Sequence, residues 1–201
     1  MQISKKQALA AVFSERTKLI MINSPLNPIG RVFDRGELEL LASFLKRYDA
    51  IAVCDEVYEH LVFGGFKFHT VAEIEPKLYD RTLTMNGVSK SYCMTGWRIG
   101  WLECHPSLAQ TAENLIQYSS SGVATFLQRG AIAALDHGAS FVDHQIARAR
   151  AGRDIVCEGL QATGRVRFAK PEGAFYLYFK VEGATDSMAL AKRLVDDANV
   201  G

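Results

Sequence analysis

The sequence predicts an α/β domain with helices on both faces of its sheet, followed by the start of a smaller α+β unit. Three observations carry this expectation. Apolar strand-like runs alternate with amphipathic helical stretches up to about residue 140. After Gly164 the pattern changes, and two strand-like runs follow a long helix. The 201 residues are 48% hydrophobic and 22% charged, a globular composition rather than a disordered one. At roughly 150 residues per domain, that length allows one large domain, or one domain and a fragment.

Residues 4–14 read as a short helix with Leu9, Val12 and Phe13 inward. Leu19–Ile22 is a short apolar run of the kind found in strands covered on both faces. It ends in the turn-rich Asn23-Ser24-Pro25-Leu26-Asn27-Pro28-Ile29-Gly30. Asp34 can cap the next helix, with Glu37 three residues on completing a capping box. Leu38, Leu41, Ala42 and Leu45 give that helix one apolar face, and Lys46 and Arg47 suit its negative C-terminal end. Ile51–Cys54 is a second buried strand, ending in Asp55-Glu56-Val57-Tyr58. Thr82–Met85 is a third, running into Asn86-Gly87-Val88-Ser89-Lys90, and Arg98–Cys104 is a fourth.

Helices follow at about 106–118, 124–136 and 140–162, the last with Val142, Ile146, Ala149, Ile155, Val156 and Leu160 as core residues. Arg165–Lys170 and Ala174–Val181 read as strands, the second alternating Phe175, Leu177, Phe179 and Val181 against Tyr176, Tyr178 and Lys180. A final helix starts near Asp186, and the chain stops directly after it at Val200-Gly201, which reads as a truncation.

Composition excludes several classes. Lys+Arg number 23 and Asp+Glu 22, a balance unlike the basic excess of a non-specific nucleic-acid binder. No apolar stretch reaches the ~18 residues of a membrane span. Met1-Gln2-Ile3-Ser4-Lys5-Lys6 lacks the apolar core of a signal peptide. Cys54, Cys93, Cys104 and Cys157 form no CxxC and no zinc spacing with the histidines, so they read as buried or reduced thiols of a cytoplasmic protein.

Ligands of open α/β sheets sit at the carboxyl ends of the strands. Here those ends carry Asn27, then Asp55 and Tyr58, then Lys90, with Arg98 opening the fourth strand. Each alone has a plain structural reading: a turn at Asn27-Pro28, a surface charge at Lys90, a salt bridge at Arg98. Asp55-Glu56 as part of a nucleotide-hydrolysing site would need a GxxxxGK[ST] loop, which the sequence lacks.

In joint order these segments resemble the class I/II aminotransferases of the fold type I pyridoxal-phosphate enzymes. The matching runs are Asn23-Ser-Pro-Leu-Asn27-Pro28-Ile-Gly30, Asp55-Glu-Val-Tyr58, and Asn86-Gly-Val-Ser-Lys90-Ser-Tyr-Cys-Met-Thr-Gly-Trp-Arg98-Ile-Gly100. Asp55 follows Asn27 by 28 residues, Lys90 follows Asp55 by 35, and Arg98 follows Lys90 by 8. The Lys90–Gly100 run is the most specific. Pro171-Glu172-Gly173-Ala174-Phe175-Tyr176 also resembles the family's strand leading into the small domain.

The resemblance implies a mixed, mostly parallel sheet, with residues 1–145 as the C-terminal half of the cofactor-binding large domain. Residues 146–201 would be a linking helix and an incomplete small domain. It implies pyridoxal 5'-phosphate as cofactor, held by Lys90 as a Schiff base; Lys90 is also the catalytic proton carrier. Asp55 would pair with the pyridinium nitrogen, Tyr58 and Asn27 would bond the phenolic oxygen, and Arg98 would grip the phosphate.

The resemblance further implies a cis peptide at Asn27-Pro28, amino-acid and 2-oxo-acid substrates, and a homodimer. Ser119, Ser120 and Ser121 fall where relatives meet the partner subunit's site, or form a polar turn between helices. Gly87 stands where many relatives carry a phosphate-binding hydroxyl, for which Ser89 or backbone N–H groups could substitute, and Ile29 replaces a usual threonine. The family's phosphate loop, its cofactor-stacking aromatic ring and its carboxylate-binding arginine are expected outside this chain. Transamination is the leading reading. A carbon–sulfur β-lyase on the same scaffold and a non-catalytic fragment are the alternatives.

Overall fold

The computed structural model describes residues 4–200. Met1–Ile3 and Gly201, which enter the leader and truncation readings, lie outside the described residues. Helix starts follow local sequence signals. In α1 (Lys5–Val12), the Ser4 side chain accepts from the Gln7 N–H while the Gln7 side chain accepts from the Ser4 N–H. In α2 (Arg35–Arg47), Asp34 and Glu37 form the same reciprocal box expected from sequence.

Four strands form one sheet in the order β1 (Leu19–Asn23), β2 (Ile51–Asp55), β3 (Thr82–Gly87) and β4 (Gly100–Glu103). The first three are parallel and β4 is antiparallel to β3, so the sheet is mixed and mostly parallel. Ile22, Ala52 and Cys54 bury one face against Leu38, Leu41, Ala42, Phe44 and Leu45 of α2, with Phe13, Leu78 and the short α3 (Val71–Ile74) closing the core.

The opposite face departs from the expectation of helices on both sides. In register, Leu19 and Met21 neighbour Ile51 and Val53, and Val53 neighbours Leu83. None of these side chains joins the buried core, and Met21 is 77% exposed. The core cluster that α1, α2 and α3 build lies on the other face, and Leu19 and Met21 are exposed, so the reading of β1 as covered on both sides is corrected.

The fourth strand is shorter than expected. Thr95–Trp97 turns as a 3-10 helix and Arg98 takes a left-handed conformation (φ 55°), so pairing begins only at Gly100. Three helices follow close to the predicted bounds: α4 (Ala109–Ser120), α5 (Thr125–His137) and α6 (Ala139–Ala162). The inward stripe of α6 runs through Val142, Ile146, Ala149, Arg153, Cys157 and Leu160, at steps of three and four. Ile155 and Val156 fall outside that stripe and are exposed, not core as expected. Val12 is exposed for the same reason, while Leu9 and Phe13 pack inward.

β5 (Val166–Phe168) and β6 (Phe179–Val181) pair antiparallel. The strand expected from Ala174 starts only at Phe179. Ala174 has φ 58° and gives its N–H to the Leu61 carbonyl, while Gly173 bridges to Val62. Residues 171–176 therefore pack on the first sheet's loops instead of alternating along a ladder. α7 (Ser187–Ala198) is capped by Asp186, whose side chain accepts from Met188 and Ala189 N–H groups. The expected division at 145/146 falls inside α6, which continues through it unbroken. No described helix is long and apolar enough to cross a membrane.

Candidate active site

Parallel pairing of β2 with β3 brings their carboxyl ends to one edge, where Asp55 closes β2 and Asn86-Gly87 close β3. The Glu56 N–H donating to the Met85 carbonyl at 3.0 Å continues this pairing one residue beyond the strand. At this edge lies a cavity of about 380 Å³, lined by Asp55, Asn86, Ser89, Lys90, Arg98 and Gly100 among others. That volume is within the range of small-molecule sites.

Lys90 is half-buried at the end of the β3 turn. Its Nζ lies 5.9 Å from the Tyr58 ring centre and 5.8 Å from that of Phe175, within cation–π range of both. Asp55 is half-buried. One of its carboxylate oxygens accepts the Val57 N–H at 3.3 Å, and its carbonyl accepts from Ser24 N and Asn23 Nδ2. Arg98 is exposed, and its guanidinium donates to the Thr95 carbonyl at 2.9 Å.

Tyr58 is only 3% exposed, and its hydroxyl meets that of Tyr176 at 2.6 Å. Burial holds the Tyr58 phenol well above its usual ionisation range, and the neighbouring Tyr176 and Asp55 push the same way. Asn27 stands apart from the other four. It is exposed and does not line the cavity; its backbone N–H donates to Asn23 Oδ1 at 2.7 Å. Asn23 thereby links the Asn27 turn to the Asp55 backbone. Both Ser24-Pro25 and Asn27-Pro28 are cis, the second as the resemblance implied.

The 171–176 segment holds this turn in place. The Glu172 and Gly173 N–H groups donate to the Gly30 carbonyl at 2.7 and 2.8 Å, and a Glu172 carboxylate oxygen accepts the Val32 N–H at 2.8 Å. Gly30 has φ 72°, and a Cβ there would lie 2.6 Å from that of Pro171, so only glycine fits. Gly87 has its own reason. A Cβ at that position would lie 2.8 Å from the Ile99 carbonyl oxygen across the β3–β4 pair, so a hydroxyl-bearing side chain there would force the backbone to shift. Ser89, two residues further on and next to Lys90, does line the cavity.

Sequence reasoning missed Asn23, Tyr176, Phe175 and Glu172 as parts of this site. The Pro171–Tyr176 run stands out in sequence, but its contacts span 118 residues to Tyr58 and 140 to Val32, which no local spacing reveals. Ser119 and Ser120 bond back to the Ile116 carbonyl, and Ser121 ends α4 in a left-handed conformation.

A sheet of this order, with a lysine, a carboxylate and an arginine around one cavity at its carboxyl edge, defines a cofactor-holding α/β enzyme scaffold. The chain belongs to the family described as aminotransferase class I and II, whose sequence profile it matches over residues 2–200. It is 38% identical over 206 residues to the aspartate/prephenate aminotransferase of Cereibacter sphaeroides, covering 96% of this chain and 52% of that one. It is equally 38% identical, over 189 residues, to a probable aspartate/prephenate aminotransferase of Aquifex aeolicus, covering 93% of this chain and 46% of that one.

Among solved structures, the aromatic aminotransferase of Pyrococcus horikoshii superposes with a TM-score of 0.91 at 30% identity, over 99% of this chain and 54% of that one. The aspartate aminotransferase of Rhizobium meliloti gives 0.90 at 31%, over 99% and 53%. The chain thus spans about half the length of the relatives it matches. Its fold is that of the fold type I pyridoxal-phosphate enzymes, and the family depends on that cofactor. The donor set fits the group: a carboxylate for a ring nitrogen, an amine for an aldehyde, a guanidinium and a hydroxyl for a phosphate.

Proposed function

We propose that this chain carries the lysine-bearing part of a pyridoxal-phosphate-dependent aminotransferase, which moves an amino group from an L-amino acid to a 2-oxo acid. The observation that carries the reading is the convergence of Asp55, Lys90 and Arg98 on one cavity. When bound, the cofactor supplies an electron sink for the carbanion left at the amino acid's α-carbon.

In this reading Lys90 would hold the cofactor through its amine and would carry a proton to and from the substrate's α-carbon. The aromatic rings of Tyr58 and Phe175 flank its amine within cation–π range. Asp55 would keep the cofactor's ring nitrogen protonated through a charge-assisted bond of roughly 1.5–3 kcal/mol. Arg98 and Ser89 would hold the phosphate. Tyr58 and Asn27 would be the donors to the phenolic oxygen. The names of the relatives point to aspartate and prephenate as the amino-acid and oxo-acid classes to try first. A homodimer and a cytoplasmic location belong to the same reading.

The test is product analysis of the full-length protein loaded with pyridoxal phosphate. Amino transfer from aspartate or an aromatic amino acid, dependent on a 2-oxo acid acceptor, is the expected result. Release of pyruvate and ammonia without an acceptor would establish a lyase instead.

A further inference from the structure

The geometry points to Tyr176 as a positioning residue that aims the Tyr58 hydroxyl, by donating its own proton to the Tyr58 oxygen. This inference rests on the cofactor reading above and adds to it a residue from the far end of the chain.

The two hydroxyl oxygens are 2.6 Å apart, a short O–H···O contact between residues 118 positions apart in sequence. A phenol has one proton to give and lone pairs to accept with. Within such a pair only one proton lies between the oxygens, and the other points elsewhere. Tyr58 is 3% exposed, so water is a poor partner for its hydroxyl. If Tyr58 donated to Tyr176, it would have no proton left for any group attached at Lys90. With Tyr176 as donor, the single Tyr58 proton is left for an oxygen of a group held at Lys90, whose Nζ lies 5.9 Å from the Tyr58 ring centre.

The packing restricts the pair to this contact. The Tyr58 ring meets Tyr176 edge-on (5.7 Å, 84°) and Phe175 edge-on (5.4 Å, 83°). Ala174, fully buried, fixes the backbone from which both rings project. The charged and titratable groups around Tyr58 are Lys90, Asp55 and Tyr176, and Arg98 lines the adjacent cavity. None of these except Tyr176 makes a hydrogen bond to the Tyr58 hydroxyl.

A donor chain Tyr176 → Tyr58 → cofactor oxygen strengthens each link by polarising the next. A stronger Tyr58 donor stabilises negative charge on the cofactor's phenolic oxygen, and thereby lowers the proton affinity of the nitrogen shared with Lys90. Tyr176→Phe keeps the ring and removes only the donor.

The experiment has two arms. In the cofactor-free protein, proton NMR should show a slowly exchanging hydroxyl resonance that disappears in both Tyr58→Phe and Tyr176→Phe; no resonance common to the pair would overturn the assignment. In the pyridoxal-phosphate complex, the pH midpoint of the bound chromophore should rise by about half a unit in Tyr176→Phe, a roughly threefold change in proton affinity. The same substitution should add nothing in a Tyr58→Phe background. An unmoved midpoint, or an equal shift without Tyr58, would overturn the inference. A wild-type protein that forms no chromophore would defeat the cofactor reading itself, a failure recognisable from the first arm being unaffected.

Discussion

Beside Asp55 sits a second carboxylate with a different character. Glu56 is 5% exposed, and burial pushes its pKa up to about 7; the hydrogen bond from Thr70 opposes this and Glu59 adds to it. A carboxyl that stays protonated in the folded chain but ionises near its ordinary value when unfolded costs stability as pH rises. The loss begins near the unfolded pKa of about 4.5, and is complete above about 7, where both states are ionised. The full span is on the order of 3 kcal/mol. Glu56→Gln should therefore flatten the fall in denaturant stability between pH 5 and 8, measured roughly unit by unit; a slope identical to that of the parent would contradict the buried-acid account. Gly87→Ser should destabilise the protein by about 1–3 kcal/mol through contact with the Ile99 carbonyl, seen as a lower thermal midpoint. That Asp55, Lys90 and Arg98 meet at one cavity was legible because each stands at a strand end or turn within a short, specific run. Tyr176 was not, because its partner lies 118 residues away and only the packed structure joins them.

Helix α2 shows how much one element can declare in its own sequence. Its cap, its charged last turn and its buried face of Leu38, Leu41, Ala42 and Leu45 all follow from local rules, and only Phe44 was unforeseen. Asp34→Ala should cost about 1 kcal/mol, through loss of the bond from the Glu37 N–H. Leu45→Ala, at a fully buried position, should cost about 2–5 kcal/mol in urea unfolding. Helix α6 was less legible. Its apolar residues outnumber its buried positions, and Arg153 occupies the inward stripe where Ile155 was expected. The guanidinium of Arg153 lies 5.0 Å from the Phe63 ring centre and donates to the Pro171 carbonyl at 3.0 Å. Ile155→Ser should accordingly change stability by less than about 0.5 kcal/mol. A loss comparable to that of Leu45→Ala would show that Ile155 is covered after all.

Among the described residues, one sheet face packs against the helices as a core, the other is only partly covered, and the cavity lies at the strands' carboxyl edge. The alternation of strands and helices was enough to give the α/β class, and the resemblance supplied the mixed, mostly parallel sheet. It could not tell which face the helices choose, since apolar residues occupy both faces of β1 and β2. The 171–176 segment crosses back over the first sheet's loops and brings Phe175 and Tyr176 to Lys90's surroundings, so the site is assembled from both ends of the chain.

The central claim is that the amine of Lys90 is the point at which the cofactor attaches. Absorption spectroscopy of the full-length protein titrated with pyridoxal phosphate tests it most directly, comparing the parent with Lys90→Ala. The account predicts a protein-bound band, reversible with pH, in the parent and its loss in the variant; an unchanged band in Lys90→Ala would contradict it.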